Sequence, residues 1–271
     1  DISFIILSIN LDQCKRSLLL FAFYIIKLKE VNKIMINLAF LKNKYNIRPT
    51  NICYIGSNEG QELPEMLELF PNSKFYCFEP QVKPFKKLVK GYQHLNNVYF
   101  YNFALGSENT TKKMYINNNN NNMSSSIYKP KEHLDYHPSV TFDGFENIVI
   151  KQFSDLKIQN VNFLNIDTQG YELEVLKGFH NLDEIKYIKT EVNRKELYEN
   201  SPNVKDLDKY LKNYNFIRVE TIWWKKFIPW GDAFYIKEDE ISFIVKFKIT
   251  TTNKIQNLKG YFWLMSKLKK F

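Results

Sequence analysis

Short apolar runs separated by helical stretches limit what this chain can fold into more than any other feature. Asn51–Ile55 reads NICYI and Lys74–Phe78 reads KFYCF, with a helical stretch, Gln61–Leu69, between them. Val98–Ala104 (VYFYNFA), Val161–Ile166 (VNFLNI), Tyr187–Val192 (YIKTEV) and Ala233–Ile236 (AFYI) are further strand candidates. Helical patterns occupy Lys83–Lys90, Tyr171–Leu176 and Val204–Asn213. Strands alternating with helices predict an α/β fold, a mostly parallel central sheet with helices on both faces. Ligands in such sheets bind at the carboxyl ends of the strands.

With 271 residues, 44% of them hydrophobic, the chain can bury a full core, so one domain with extensions is expected. We read residues 1–35 as an N-terminal extension, either helical or non-native upstream sequence. Its longest clean apolar run, Ser17–Ile26, is too short to span a bilayer. Residues 36–237 form the domain and 238–271 a basic tail. The tail's amphipathic end, NLKGYFWLMSKLKKF, is expected to pack on the domain or on a second subunit, with weak membrane-surface contact as the alternative. The polar run Asn117–Asn122 reads as a loop insertion.

A net charge of +9 raises the question of a nucleic-acid partner. Only four arginines contribute, Arg16, Arg48, Arg194 and Arg218, whereas phosphate and base recognition favours arginine forks. No nucleic-acid partner is expected, and the lysines are read as solvated surface. Three cysteines, Cys14, Cys53 and Cys77, form no CxxC pair. A reducing, cytoplasmic setting follows more simply than a disulfide framework or a zinc site.

Six of the nine glycines, Gly56, Gly60, Gly106, Gly170, Gly178 and Gly231, fall at strand ends or the turns beside them. The loop after the first strand is Gly-x-x-x-Gly, not the Gly-x-Gly-x-x-Gly of dinucleotide sites. Its Ser57, Asn58 and Glu59 suit a ligand with an amino-acid end and no phosphate. Glu79 follows the second strand, 19 residues beyond Gly60 (79 − 60), where a carboxylate is placed to bind both ribose hydroxyls. In LNIDTQGYELEVLKG, Asp167 closes a strand and looks into the cleft. Glu172 falls in the first helical turn, where the dipole favours acids.

In order along the chain, IGSNEG, FEP, NFALGS, MSSSIY, NIDTQGYELEVLKG, TEV and WGDAFYI resemble the FkbM-type methyltransferases over about residues 36–237. The resemblance implies a Rossmann-like class I methyltransferase fold and S-adenosylmethionine as cofactor. It also implies O-methylation of a hydroxyl on a glycan, glycolipid or related small molecule. By the same resemblance Gly56, Ser57, Asn58 and Gly60 would hold the methionine end and Glu79 the ribose. Asn102, Ala104 and Leu105 would lie by the adenine, and Asp167 near the amino group or the transferred methyl. One departure stands out: Tyr54 and Ser57 occupy places where the family reads Asp and Ala. Glu59 or Asp167 is expected to replace the missing carboxylate. The alternative is a non-catalytic protein that keeps the fold and the cofactor.

Methyl transfer to an alcohol needs a base to take the hydroxyl proton as attack proceeds. Asp167, Glu191 and Asp232 are strand-end candidates, with Asp167 and Glu191 preferred and not separated. No metal is expected. His133 and His137, in EHLDYH, are read as solvated histidines near the substrate mouth, with His137 open as a base. Trp223, Trp224 and Trp230 are expected in a closing hairpin packed on the sheet rather than in an acceptor platform.

Overall fold

The computed structural model describes residues 36–241, apart from 118, 120–122, 137, 181 and 225–227. The extension 1–35, Cys14, His137, most of the asparagine run and all but the first four residues of the tail therefore lie outside the described residues.

In chain order the elements are α1 (Leu38–Tyr45), β1 (Asn51–Ile55), α2 (Leu63–Leu69), β2 (Lys74–Phe78), α3 (Val82–Tyr92), β3 (Val98–Tyr101), β4 (Ala104–Leu105) and β5 (Thr110–Ile116). They continue with α4 (His133–Tyr136), β6 (Gly144–Lys151), β7 (Val161–Ile166), α5 (Glu172–Lys177), β8 (Tyr187–Asn193), α6 (Val204–Lys212), β9 (Phe216–Trp223) and β10 (Trp230–Lys237). Seven strands form one sheet in the order β3-β2-β1-β7-β8-β10-β9. The run from β3 to β8 is parallel, and β10 is antiparallel to both neighbours. Strand order reverses between β1 and β7, which makes the crevice there the topological switch point. This is the Rossmann-like class I methyltransferase fold that the sequence led us to expect.

Alternation along the strands builds three layers. Ile52, Tyr54, Phe75, Cys77 and Phe163 face Leu38 and Leu41 of α1 and Leu63 and Met66 of α2. Cys53, Ile55, Phe78, Leu164 and Ile166 face Val175 and Leu176 of α5 and Leu207 and Leu211 of α6. Each buried side chain of this size contributes about 1.5–3 kcal/mol, so both helical layers are held mainly by apolar burial. Local signals agree at the helix starts. Asn37 accepts from the Phe40 N–H at 2.7 Å, and Asn203 with Asp206 closes a capping box on α6.

Two regions depart from the sequence expectation. VYFYNFA is not one strand, because β3 ends at Tyr101 and β4 turns away into a second sheet, ordered β4-β6-β5. The strands β5, β6 and β9 are not among the expected strands, since TTKKMYI, GFENIVIK and FIRVETIW mix charges into exposed or half-exposed positions. Trp223 ends β9 and Trp230 begins β10, an antiparallel pair, whereas Trp224 is exposed. Trp223 lies under the Arg194 guanidinium at 3.9 Å, and Trp230 packs beside His133 and Tyr136.

Candidate active site

Register alone sets the row of residues that forms the site. Ile55 pairs with Phe78 on one side and Ile166 on the other, and Ile166 pairs with Thr190. One residue further along each parallel strand come Glu79, Gly56, Asp167 and Glu191, and Glu191 pairs with Asp232 of β10. Residues distant in sequence thus meet at one edge of the sheet. Gly56, Glu79 and Asp167 of this row border a cavity of about 620 Å³, which is within the range for small-molecule sites.

The first loop is held tightly against its neighbours. The Gly56 and Ser57 N–H groups both donate to the Phe78 carbonyl at 3.0 Å, and Asp167 N–H donates to the Ile55 carbonyl at 2.9 Å. Gly56 has φ +76°, and a Cβ there would lie 1.8 Å from the Asp167 carbonyl oxygen. No other residue fits this close backbone approach.

Glu79 is buried at 3% exposure, and both of its oxygens are engaged. Oε2 accepts from the Asn58 N–H and Oε1 from the Gln81 N–H, each at 2.8 Å. Burial pushes its carboxyl up to about 7, and those two N–H groups with the Gln81 side chain hold it from rising further. The Asn102 side chain does not face the cavity. It donates to the Glu79 and Pro80 carbonyls at 2.9 and 3.1 Å and so braces the turn that presents Glu79. Ala104 and Leu105 do line the cavity. Ser57 and Gly60 sit behind the wall: the Ser57 hydroxyl donates to the Phe78 carbonyl, and Gly60 leaves room for Leu88 and Tyr92 of α3.

Beneath the loop lies a charged layer not foreseen from the sequence. Tyr54, Asn165 and Lys189 form one register row on the α2 side of the sheet. Lys189 donates to both Glu62 oxygens at 2.9 Å, and Asn165 Nδ2 donates to Glu62 Oε2 at 2.8 Å. Burial alone would depress the Lys189 charge, but Glu62, Asp232 and Asp167 outweigh it and raise its pKa. A lysine amid the apolar strand YIKTEV was the one available signal of this layer. Glu59 does not take the place of the missing acid, because it pairs with Lys87 outside the cavity at 2.7 Å. Tyr54 is buried with Glu62 and Asp167 beside it, and all three line the cavity.

Substituting Tyr54→Asp would exchange a packed ring for a charge next to two acids. We expect a loss of about 3–5 kcal/mol in unfolding free energy by urea titration. A stability equal to wild type would show that Lys189 serves the new carboxylate as well.

Asp167 is walled by protein yet open to the cavity's solvent. Burial raises its pKa against the opposing pull of the Gln169 amide. Glu191 is half-buried behind it, off the cavity wall, and burial plus the Asp167 charge lift its pKa well above the usual range. Glu172 is buried in the turn, where its Oε1 accepts from the Thr168 and Gly170 N–H groups at 3.1 and 3.0 Å. It fastens the loop and does not reach the cleft. Asp232 accepts from the Ile36 N–H at 3.0 Å, which ties the start of the domain to β10.

His133 corrects the expectation of solvated histidines: it is buried among Phe142, Tyr198 and Trp230. Among the described residues, no group of three or more His, Cys, Asp or Glu side chains could hold a metal ion. No helix among them is long and apolar enough to cross a membrane.

The chain is 26% identical over 155 residues to the 2-O-methyltransferase NoeI of Sinorhizobium fredii (strain NBRC 101917 / NGR234). That match covers 54% of this chain and 64% of the relative, so it spans just under two thirds of the relative's length. Among solved structures, a methyltransferase FkbM from Methylobacillus flagellatus KT superposes with a TM-score of 0.47 at 15% identity, covering 69% of this chain and 43% of that one. TrmK of M. capricolum, in complex with S-adenosyl-homocysteine, gives 0.43 at 13% identity over 77% and 71% of the two chains. Residues 55–218, from the end of β1 into β9, match the profile of the methyltransferase FkbM domain. These residues run through the glycine loop, Glu79, Asp167 and Glu191, and on that match the chain belongs to the FkbM methyltransferase family.

Proposed function

We propose that this protein is an S-adenosylmethionine-dependent O-methyltransferase whose acceptor is a hydroxyl on a glycan, glycolipid or related small molecule. The supporting observation is the strand-end row, which brings a glycine loop, a buried ribose-type carboxylate and an open acid onto one cavity. The donor set fits the cofactor. Besides the Asn58 and Gln81 N–H groups and the Gln81 side chain, the Glu79 carboxylate keeps acceptor capacity for a ribose hydroxyl. Ala104, Leu105, Gly56 and Asn58 line the cavity, the first two as an apolar wall that would take the adenine and the last two where they would hold the methionine end.

When bound, S-adenosylmethionine supplies an electrophilic methyl group on a positively charged sulfur, which leaves as a neutral thioether. The residues of this chain hold the reactants in line and exclude water. Asp167 takes the hydroxyl proton as the acceptor oxygen attacks. Of the two preferred acids it is the one that lines the cavity, whereas Glu191 stands behind it. An elevated carboxyl pKa brings a base closer to the working pH. The buried, unpaired Cys53 and Cys77 thiols fit a reducing, cytoplasmic setting.

Calorimetric titration of the full chain with S-adenosylmethionine tests this reading. Saturable binding is expected, and no heat of binding would overturn it. Tyr54 in place of the family's acid favours a second reading, a cofactor-binding protein without turnover. Release of S-adenosylhomocysteine with any acceptor would exclude it.

A further inference from the structure

We propose that Gln169 is a positioning residue whose amide ties Asp167 and Glu191 into one proton-sharing pair, with Tyr198 fixing the direction of that amide. Its catalytic meaning rests on the methyltransferase reading above; its geometry does not. Gln169 Nε2 donates to Asp167 Oδ1 at 2.7 Å and to Glu191 Oε2 at 2.6 Å. An amide nitrogen has two hydrogens, so both carboxyl groups are served at once. The Tyr198 hydroxyl donates to Gln169 Oε1 at 2.9 Å. The same hydroxyl lies 3.3 Å from the Ser124 carbonyl, but a flipped amide would set its oxygen against two acids, so one orientation is selected.

The backbone is held as firmly as the side chain. Gln169 has φ +53°, a left-handed conformation that costs a non-glycine residue about 1–2 kcal/mol. The Ser126 hydroxyl donates to its carbonyl at 2.6 Å, and Gly170, also at positive φ, follows it. Three separate segments, around Ser126, Gln169 and Tyr198, therefore converge to aim a single NH₂ group.

The crowding of charge explains why such a group is needed. The Gln169 amide bridges Asp167 and Glu191, and Glu172 of α5, Asp232 of β10 and Glu62 ahead of α2 add negative charge around them. Lys189 of β8 is the cation that opposes this, and it is engaged by Glu62. Burial and repulsion favour protonation, so one proton settles on the pair, at Glu191. The Gln169 N–H groups stabilise the remaining negative charge and keep Asp167 ionised as a base.

The test is a carboxyl ¹³C NMR titration of the full chain, with Asp167→Asn and Glu191→Gln used to assign the two resonances. Gln169→Asn keeps an amide that tolerates left-handed backbone but is one methylene too short to bridge. Its Asp167 midpoint is expected to rise by about one pH unit, the loss of a charge-assisted hydrogen bond. Tyr198→Phe, which frees the amide to turn, is expected to move the midpoint the same way by less. Unchanged midpoints in the folded variants would overturn the proposal. If Gln169→Asn fails to fold, an unchanged midpoint in Tyr198→Phe overturns it alone. The titration needs no cofactor, so a protein that binds no S-adenosylmethionine yet shows these shifts would fail only the methyltransferase reading.

Discussion

Replacing Glu79 by Gln is expected to weaken S-adenosylmethionine binding by about a hundredfold, because the ribose contact loses its charged acceptor. The substitution keeps the shape of the side chain. Its NH₂ group, however, would face either the Asn58 or the Gln81 N–H, which now donate to the two carboxylate oxygens. The pH dependence gives an independent check. With the free carboxyl near 7, affinity should fall about tenfold for each pH unit below that value if only the ionised form binds. The Gln variant should lose this dependence. The stability sign runs the other way: a carboxyl raised from 4.5 to about 7 favours the fold below pH 4.5, and that contribution is lost as pH rises through 7. Calorimetry across pH 5.5–8.5, a window of about 1.5 units on either side of that midpoint, measures both effects. A wild-type affinity that is flat across the window would remove Glu79 from the cofactor site.

Asp167→Asn is expected to lower methyl transfer by about 10²–10⁴-fold, the usual contribution of a general base. The measurement is release of S-adenosylhomocysteine with an acceptor that the wild-type protein methylates. The loss in turnover should exceed any loss in cofactor affinity, because the base acts on the acceptor proton. Glu191→Gln should have a smaller effect, since Glu191 lies off the cavity wall. The reverse ranking would make Glu191 the base. Equal losses in affinity and turnover would make Asp167 a cofactor ligand only.

Much of this arrangement is legible in the sequence, residue by residue. NICYI, KFYCF and VNFLNI announce themselves as buried strands because every second residue meets one helical layer and the residues between meet the other. Glu79 and Asp167 are readable because each closes such a run, and a strand end in a parallel sheet is a cleft position. Asn102 is placed by the adenine through the family resemblance alone. The chain turns at that point, however, and its amide is used up on the Glu79 and Pro80 carbonyls. His133 reads as polar and solvated, but distant aromatic rings enclose it.

By itself the sequence determines the layers, the order of the motifs and the row of strand ends, because these follow from local periodicity and chain order. Tertiary structure alone decides which acid reaches the cavity and which carries the proton. That choice depends on register between β7 and β8, and on Ser126 and Tyr198 arriving from other segments to aim one amide. Burial and hydrogen bonds supplied from far along the chain set a carboxyl's charge, and no local pattern encodes them.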